Sequence, residues 1–365
     1  MLHHMRACRH QPRSSLQDLS FFPRPGPTDH VSQRGSAGLL RDCNMRLVKS
    51  WCLAITRKQH LADRVWALIL ELPNPLEPKE AELLSGAFAR CANLKRLAVH
   101  HIPGSTPENN KQSCIVEGPF HLNHLFNTYF CLVYGTFTFF HQQNHIRVLS
   151  LPSAALDTTF VDSQLPPDLI AIDAPLDVVC RLSEAETGRP LERVQIHYDR
   201  YYWAPDLSSL SRFAPTLKAL TVVEEGSIGG SETVDVVEEV LEALPQLQHL
   251  GIYEKEQLES DILENSIVPR LRQFTSLTTF TLRLRRRVRI LMRGQACFLH
   301  HRTHLLHFGY TMLGACATLR KATIAVEVPG EEEVTCTFTK EGDGSVSTTF
   351  DDELEEDSFY AMIFD

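Results

Sequence analysis

The chain runs to 365 residues, 43% of them hydrophobic and 22% charged, so it can bury a large core as one elongated domain or as two. Its net charge of −9 excludes whole-molecule attraction to nucleic acid or anionic lipid, which needs a basic surface. The charge is uneven, with eight Arg/Lys against three Asp in residues 1–50 and twelve acids against Lys340 alone in 331–365.

Residues 1–45 are rich in Arg, Pro, Ser, Gly and His and show no periodicity, which predicts a disordered N-terminal segment. A helical stretch over 46–60 follows, containing "LVKSWCLAI", Leu47–Ile55. From 61 to 330 one hexapeptide pattern recurs. It reads "LKRLAV" (Leu94–Val99), "IRVLSL" (Ile146–Leu151), "LERVQI" (Leu191–Ile196) and "LKALTV" (Leu217–Val222). It continues as "LQHLGI" (Leu247–Ile252), "LTTFTL" (Leu277–Leu282) and "LRKATI" (Leu319–Ile324).

Positions 1, 4 and 6 are apolar, and 4 and 6 follow the period-2 alternation of a half-buried strand. Helical spacing precedes several copies: Ala81, Leu84, Phe88 and Cys91 lie on one face, and Val237, Val240, Leu241 and Leu244 on another, which Pro245 stops. Before the last copy, Leu306, Tyr310, Leu313 and Ala317 give a third face. The copies begin at 94, 146, 191, 217, 247, 277 and 319, so the separations are 52, 45, 26, 30, 30 and 42. "PDLIAI" (Pro167–Ile172) divides the gap of 45, and "VWALIL" (Val65–Leu70) adds an earlier copy. One strand and one helix per unit predicts an α/β fold, an irregular leucine-rich-repeat-like solenoid with parallel strands on one face and helices on the other.

Two stretches, Leu125–His145 and Arg285–Leu306, widen the spacing and fit the pattern poorly. The first contains "LFNTYFCLVYGTFTFF", Leu125–Phe140, whose 16 residues fall short of the roughly 20 that cross a bilayer, so a buried apolar segment is expected and no membrane span. The C-terminal part, 331–365, alternates through Val334–Phe350 around the turn-forming "EGDGS" and ends in an acidic run, which predicts a β-hairpin capping the repeats and an acidic tail.

Ten cysteines are scattered with no C-x-x-C pair, so neither zinc nor thioredoxin-type redox chemistry is signalled. With no N-x-[ST] acceptor and no apolar leader, the chain reads as intracellular, cytoplasmic or nuclear, with reduced thiols. "HHRTHLLH", His300–His307, sets His300, His304 and His307 on one helix face, but no Glu completes an H-E-x-x-H motif and no fourth ligand is evident. "RLRRRVRILMR", Arg283–Arg293, alternates arginines with apolar residues as a strand with one basic face, without interleaved aromatics for base stacking. Nucleophile elbow, Walker loop and dinucleotide fingerprint are all missing, so no catalytic residue, cofactor site or metal site is assigned and a non-enzymatic protein is expected.

"LVKSWCLAITRKQHLADRVWALILELP", Leu47–Pro73, resembles the join between an F-box and the first repeat in a basidiomycete fungal family of F-box/leucine-rich-repeat-like proteins. "HIRVLSLP", "DSQLPPDLIAIDAP" and "PLERVQIHYDR" are similar to later blocks of that family. The resemblance implies the substrate-recognition subunit of a Skp–cullin–F-box ubiquitin ligase. Val48 and Trp51 would lie in the helix that meets the Skp-type adaptor, and the repeats would hold a protein target. The L-P-x-E-like helical stretch that precedes this segment in the family has no counterpart in residues 1–42. Positions 3 and 5 of the strands offer Arg96, Ala98, Arg193, Gln195, Thr221, His249, Thr279, Thr281, Lys321 and Thr323 as the outward, target-binding face.

Overall fold

A computed structural model describes residues 33–72, 76–101, 118–129, 139–140, 142–152, 165–184, 189–198, 207–224, 233–254, 263–285, 302–327 and 334–351. They fall into two compact units, one ending at Leu169 and one beginning at Ile170. Each is mixed α/β with mostly parallel strands ordered as in the chain.

The first unit opens with helix α1, Gln33–Arg57, followed by one short turn, α2, Gln59–Ala62. Met45, Val48, Cys52 and Ile55 are buried along one stripe of α1, at the spacing that turns one helix face inward. The helix begins inside the segment expected to be disordered: a stripe that buries its apolar side chains nucleates the helix, and Ala37, Leu39 and Leu40 are residues that propagate one. Helix α3, Pro78–Phe88, packs against α1 and begins with Pro78, while the Glu77 amide donates to Glu80 Oε2 at 3.1 Å. Lys49 of α1 reaches the same Glu80 at 2.8 Å. The unit's strands are β1 (Ala67–Leu72), β2 (Arg96–His101), β3 (His124–Asn127) and β4 (Val148–Ser150), all parallel.

In the second unit β5 (Ala171–Pro175) leads to α4 (Leu176–Glu184), β6 (Arg193–Tyr198), a tight helical turn (Ser208–Phe213) and β7 (Ala219–Glu224). Then come α5 (Thr233–Ala243), β8 (His249–Glu254), a short helical run ending in α6 (Val268–Leu271), β9 (Thr279–Arg285), α7 (Arg302–Ala315) and β10 (Lys321–Glu327). Strands β5 to β10 are parallel, and β11 (Val334–Lys340) and β12 (Val346–Asp351) add the expected antiparallel hairpin to the β10 edge. Its turn needs one left-handed residue, which Gly344 supplies at φ +85. Ser345, through its hydroxyl and then its amide, holds the Asp343 carboxyl below its ordinary value.

The hexapeptide is the core. In all seven copies positions 1, 4 and 6 are at most 5% exposed. The register is set by a recurring backbone device: the carbonyl of position 2 accepts the N–H groups of positions 2 and 3 of the next copy. Lys95 and Arg96 donate in this way to Trp66 at 2.8 and 3.2 Å, Lys218 and Ala219 to Glu192 at 2.8 and 3.0 Å, and Arg320 and Lys321 to Thr278 at 2.8 and 3.0 Å.

"VWALIL" pairs as read, Leu68 opposite Leu97. "PDLIAI" is corrected by two residues: Ile172, not Ile170, stands opposite Val194, so the copy is "LIAIDA", Leu169–Ala174. Leu169, Ile172 and Ala174 are fully buried while Pro167 is exposed, and burial decides between two registers that both look apolar on paper. A further copy, "LNHLFN", Leu122–Asn127, forms β3 and runs into the stretch expected to fit poorly, and Asn127 at position 6 hides it from the apolar pattern. Copies starting at 65, 94, 122, 146, 169, 191, 217, 247, 277 and 319 give separations of 29, 28, 24, 23, 22, 26, 30, 30 and 42.

Helices α3 and α5 turn the expected faces inward, apart from half-buried Leu241. Helix α7 does not: Leu305, Phe308, Met312, Leu313 and Cys316 are buried, whereas Tyr310 is 46% exposed. Both stripes have helical spacing, and the one carrying Phe308 and Met312 removes more apolar surface from water. Among the described residues no helix is long and apolar enough to cross a membrane. Leu125, Phe126, Phe139 and Phe140 of the apolar stretch are buried, and residues 130–138 lie outside the described residues.

Cys52, Cys91, Cys180, Cys316 and Cys336 are not joined in disulfides. Burial, reinforced by the neighbouring Cys91, pushes Cys52 up to about 12, and burial together with Asp63 pushes Cys91 up to about 11. A thiol whose pKa is higher in the folded than in the unfolded chain binds its proton more tightly when folded. Its contribution is complete below the unfolded value, about 8.5, and is lost as pH rises toward 11–12. Denaturation midpoints are therefore expected to fall between pH 9 and pH 11, and Cys52→Ala/Cys91→Ala to flatten that fall. An unchanged slope in the double variant removes this assignment.

Candidate functional site

Strand pairing in the second unit lines up three rows of side chains on the sheet face opposite the core. The first row is Ala171, Arg193, Ala219, His249, Thr279, Lys321, Thr339 and Ser347. The middle row runs Asp173, Gln195, Thr221, Gly251, Thr281, Thr323, Thr337 and Thr349 across the same strands. The third contains His197, Val223, Tyr253 and Arg283 on β6 to β9. The period-2 alternation that sends positions 4 and 6 into the core sends these residues to the other side.

The face is closed at one end. Asp173 is fully buried, and its Oδ1 accepts Gln195 Nε2 at 3.1 Å and lies 2.6 Å from His197 Nε2. A buried carboxylate is costly unless donors surround it, and here two neighbouring residues of β6 provide them. Next to this cluster Thr221 crowds Gly251, where an added Cβ would meet Thr221 Oγ1 at 3.2 Å and Cγ2 at 3.3 Å. Tyr253 lies under the Arg283 guanidinium, 5.9 Å from its ring centre. Thr323 and Thr337 approach hydroxyl to hydroxyl at 3.3 Å.

The first unit has its own face. The Arg96 guanidinium sits 4.7 Å above the Trp66 ring, and Trp66 is 41% exposed. His100 stacks 4.4 Å from Phe126.

Of the residues assigned from sequence, Arg193 and His249 are exposed, and Arg96, Thr221, Thr279, Thr281 and Lys321 are half-buried on these faces. Gln195 is 5% exposed and serves Asp173, and Ala98 and Thr323 are 3% and 6% exposed, so these three are not open contacts. Val48 is 6% exposed inside the stripe of α1, and Trp51 is half-buried. Sequence reasoning missed Asp173, His197, Tyr253 and Trp66, and it placed Arg283 on a basic strand face without joining it to the target-binding residues. Extending the period-2 pattern one step, to position 7, would have found His197 and Tyr253 and joined Arg283 to them. Asp173 needed the two-residue register correction.

Of the histidine run, residues up to His301 lie outside the described residues, and α7 begins at Arg302. No group of three or more His, Cys, Asp or Glu side chains able to hold a metal ion occurs among the described residues. His121 and His145 meet edge to face at 5.8 Å as a pair. Beyond Arg285 the arginine-rich stretch also lies outside the described residues; within β9 Leu282 and Leu284 are buried and alternate with half-buried Arg283, as expected. No protein-family model matches this chain, and no curated protein matches it.

Proposed function

We propose that the protein is a non-enzymatic interaction scaffold, an irregular leucine-rich-repeat-like solenoid whose sheet face holds a protein target inside the cell, in cytoplasm or nucleus. The observation that carries this reading is the register of the face: hydroxyls, imidazole, tyrosine and guanidinium groups line up at one strand spacing. Mixed polar surface with aromatic and arginine anchors suits protein recognition better than a small apolar ligand. By the resemblance of Leu47–Pro73, the chain would be the substrate-recognition part of an F-box protein, with the Skp-type adaptor on α1. Because Val48 is buried, that contact falls to Trp51 and to Leu53, which is 41% exposed.

The test is a pull-down from fungal extract with the full chain and with Thr221→Arg/Thr281→Arg, quantified by mass spectrometry. Proteins retained by the wild type and reduced at least fivefold on the face variant are the expected result, with adaptor and cullin among those retained by both. A face-dependent partner without adaptor means a repeat scaffold that has no ligase role. Equal retention by both chains overturns the scaffold reading.

A further inference from the structure

Several strands of the second unit begin in basic residues. At position 2 or 3, or at the matching end of β11, stand Arg193 on β6, Lys218 on β7, His249 on β8, Arg320 and Lys321 on β10, and Lys340 on β11. Arg193, Lys218, His249 and Arg320 are exposed, and Lys321 and Lys340 half-buried. The described acids at this edge are Glu192, Glu341 and Asp343. Glu192 lies 3.0 Å from Lys218, with both side chains about half exposed, a pairing that solvent largely screens. Five Lys/Arg against three acids therefore collect along one edge of a chain whose net charge is −9.

We infer that this basic edge docks an acidic peptide segment of the protein target, laid across the strand entrances from β6 to β11. This deepens the protein-binding reading above and rests on it. Five strand spacings span about 24 Å, which an extended segment of about seven residues covers at about 3.4 Å per residue. Carboxylates on alternate residues then fall about 7 Å apart, between one and two strand spacings, so several meet a cation without the segment bending. An acidic peptide fits better than nucleic acid, because no aromatic side chain stands among the edge residues to stack a base, and the acidic remainder of the chain repels a long polyanion.

The experiment measures fluorescence anisotropy of the full chain with three labelled probes: a twelve-residue alternating Glu-Ser peptide, its Lys-Ser counterpart and a twelve-nucleotide oligouridine. Expected are saturable binding of the acidic peptide, weakening as salt rises, and at least a tenfold loss in Arg193→Glu/Arg320→Glu. Lys58→Glu/Arg272→Glu, exposed residues outside this edge, should stay within twofold of wild type. If the double reversal melts at a lower temperature, the milder Arg193→Ala and Arg320→Ala must each still weaken binding about threefold. Failure to bind the acidic peptide, or equal loss in the control pair, overturns the inference. So does oligouridine binding at least as tight and equally lost in the reversal, which makes nucleic acid the partner class. A face-dependent partner in the pull-down together with failure of the acidic peptide leaves the scaffold standing and removes this inference alone.

Discussion

Phe338→Ala is expected to destabilise the second unit by about 3–5 kcal/mol, the range for a fully buried phenylalanine that leaves a cavity. Phe338 is completely buried, meets Tyr310 edge to face at 5.7 Å, and lies where an added Cβ on Gly309 would come within 2.3 Å of its ring. A hairpin alone is marginal in water, so β11 and β12 depend on this packing and on their pairing with β10. The reciprocal change is informative. Gly309→Ala should cost about 1–3 kcal/mol by overpacking in the wild type. In the Phe338→Ala background the methyl has room, and alanine is about 1 kcal/mol better than glycine within a helix. The double variant should therefore be more stable than Phe338→Ala alone, as read by urea unfolding and by hydrogen exchange of amides 334–351. Additive losses would contradict the close approach of α7 and β11.

Asp173→Ala is expected to cost about 3 kcal/mol, because it strands donors that are already desolvated rather than removing one contact from water. Gln195 Nε2 and His197 Nε2 both lose their shared acceptor, in a position with no exposure at Asp173 and little at Gln195. Asp173→Asn keeps one acceptor oxygen but loses the charge and turns the second oxygen into a donor, so its loss should be smaller, roughly half as large. Thermal melting of the three chains at pH 7 should rank wild type above Asp173→Asn and Asp173→Asn above Asp173→Ala. An Asp173→Ala chain within about 0.5 kcal/mol of wild type, the usual range for a surface change, would mean the cluster carries no structural weight.

The strands were legible because burial falls at three of every six residues, and in the seven copies read from sequence every residue at the positions of Leu191, Val194 and Ile196 is apolar. The pattern failed where the rule bends. Asn127 occupies a core position in β3, and its Oδ1 accepts the Tyr129 amide at 3.0 Å, which satisfies it there. Ile170 supplied a false register because an apolar residue also occurs at half-buried position 2. Helix α7 carries two stripes of helical spacing, and only its packing in the fold shows that the one with Phe308 and Met312 turns inward. The sheet face was partly readable: Arg193 and His249 follow from alternation alone. Asp173, Gln195 and His197 look like three solvated polar residues in sequence, and only the pairing of β5 with β6 brings them together.

The most direct test of the face as a binding surface is thiol labelling of Thr279→Cys, Phe280→Cys and Thr281→Cys, each as a full chain, with and without the partner retained in the pull-down. Alternation predicts ready labelling at 279 and 281 and protection at 280 in the free protein, with 279 and 281 becoming protected when the partner binds. Labelling at 280 as fast as at 281 would contradict the strand register. Labelling at 279 and 281 that the partner leaves unchanged would contradict the sheet face as the place where it binds.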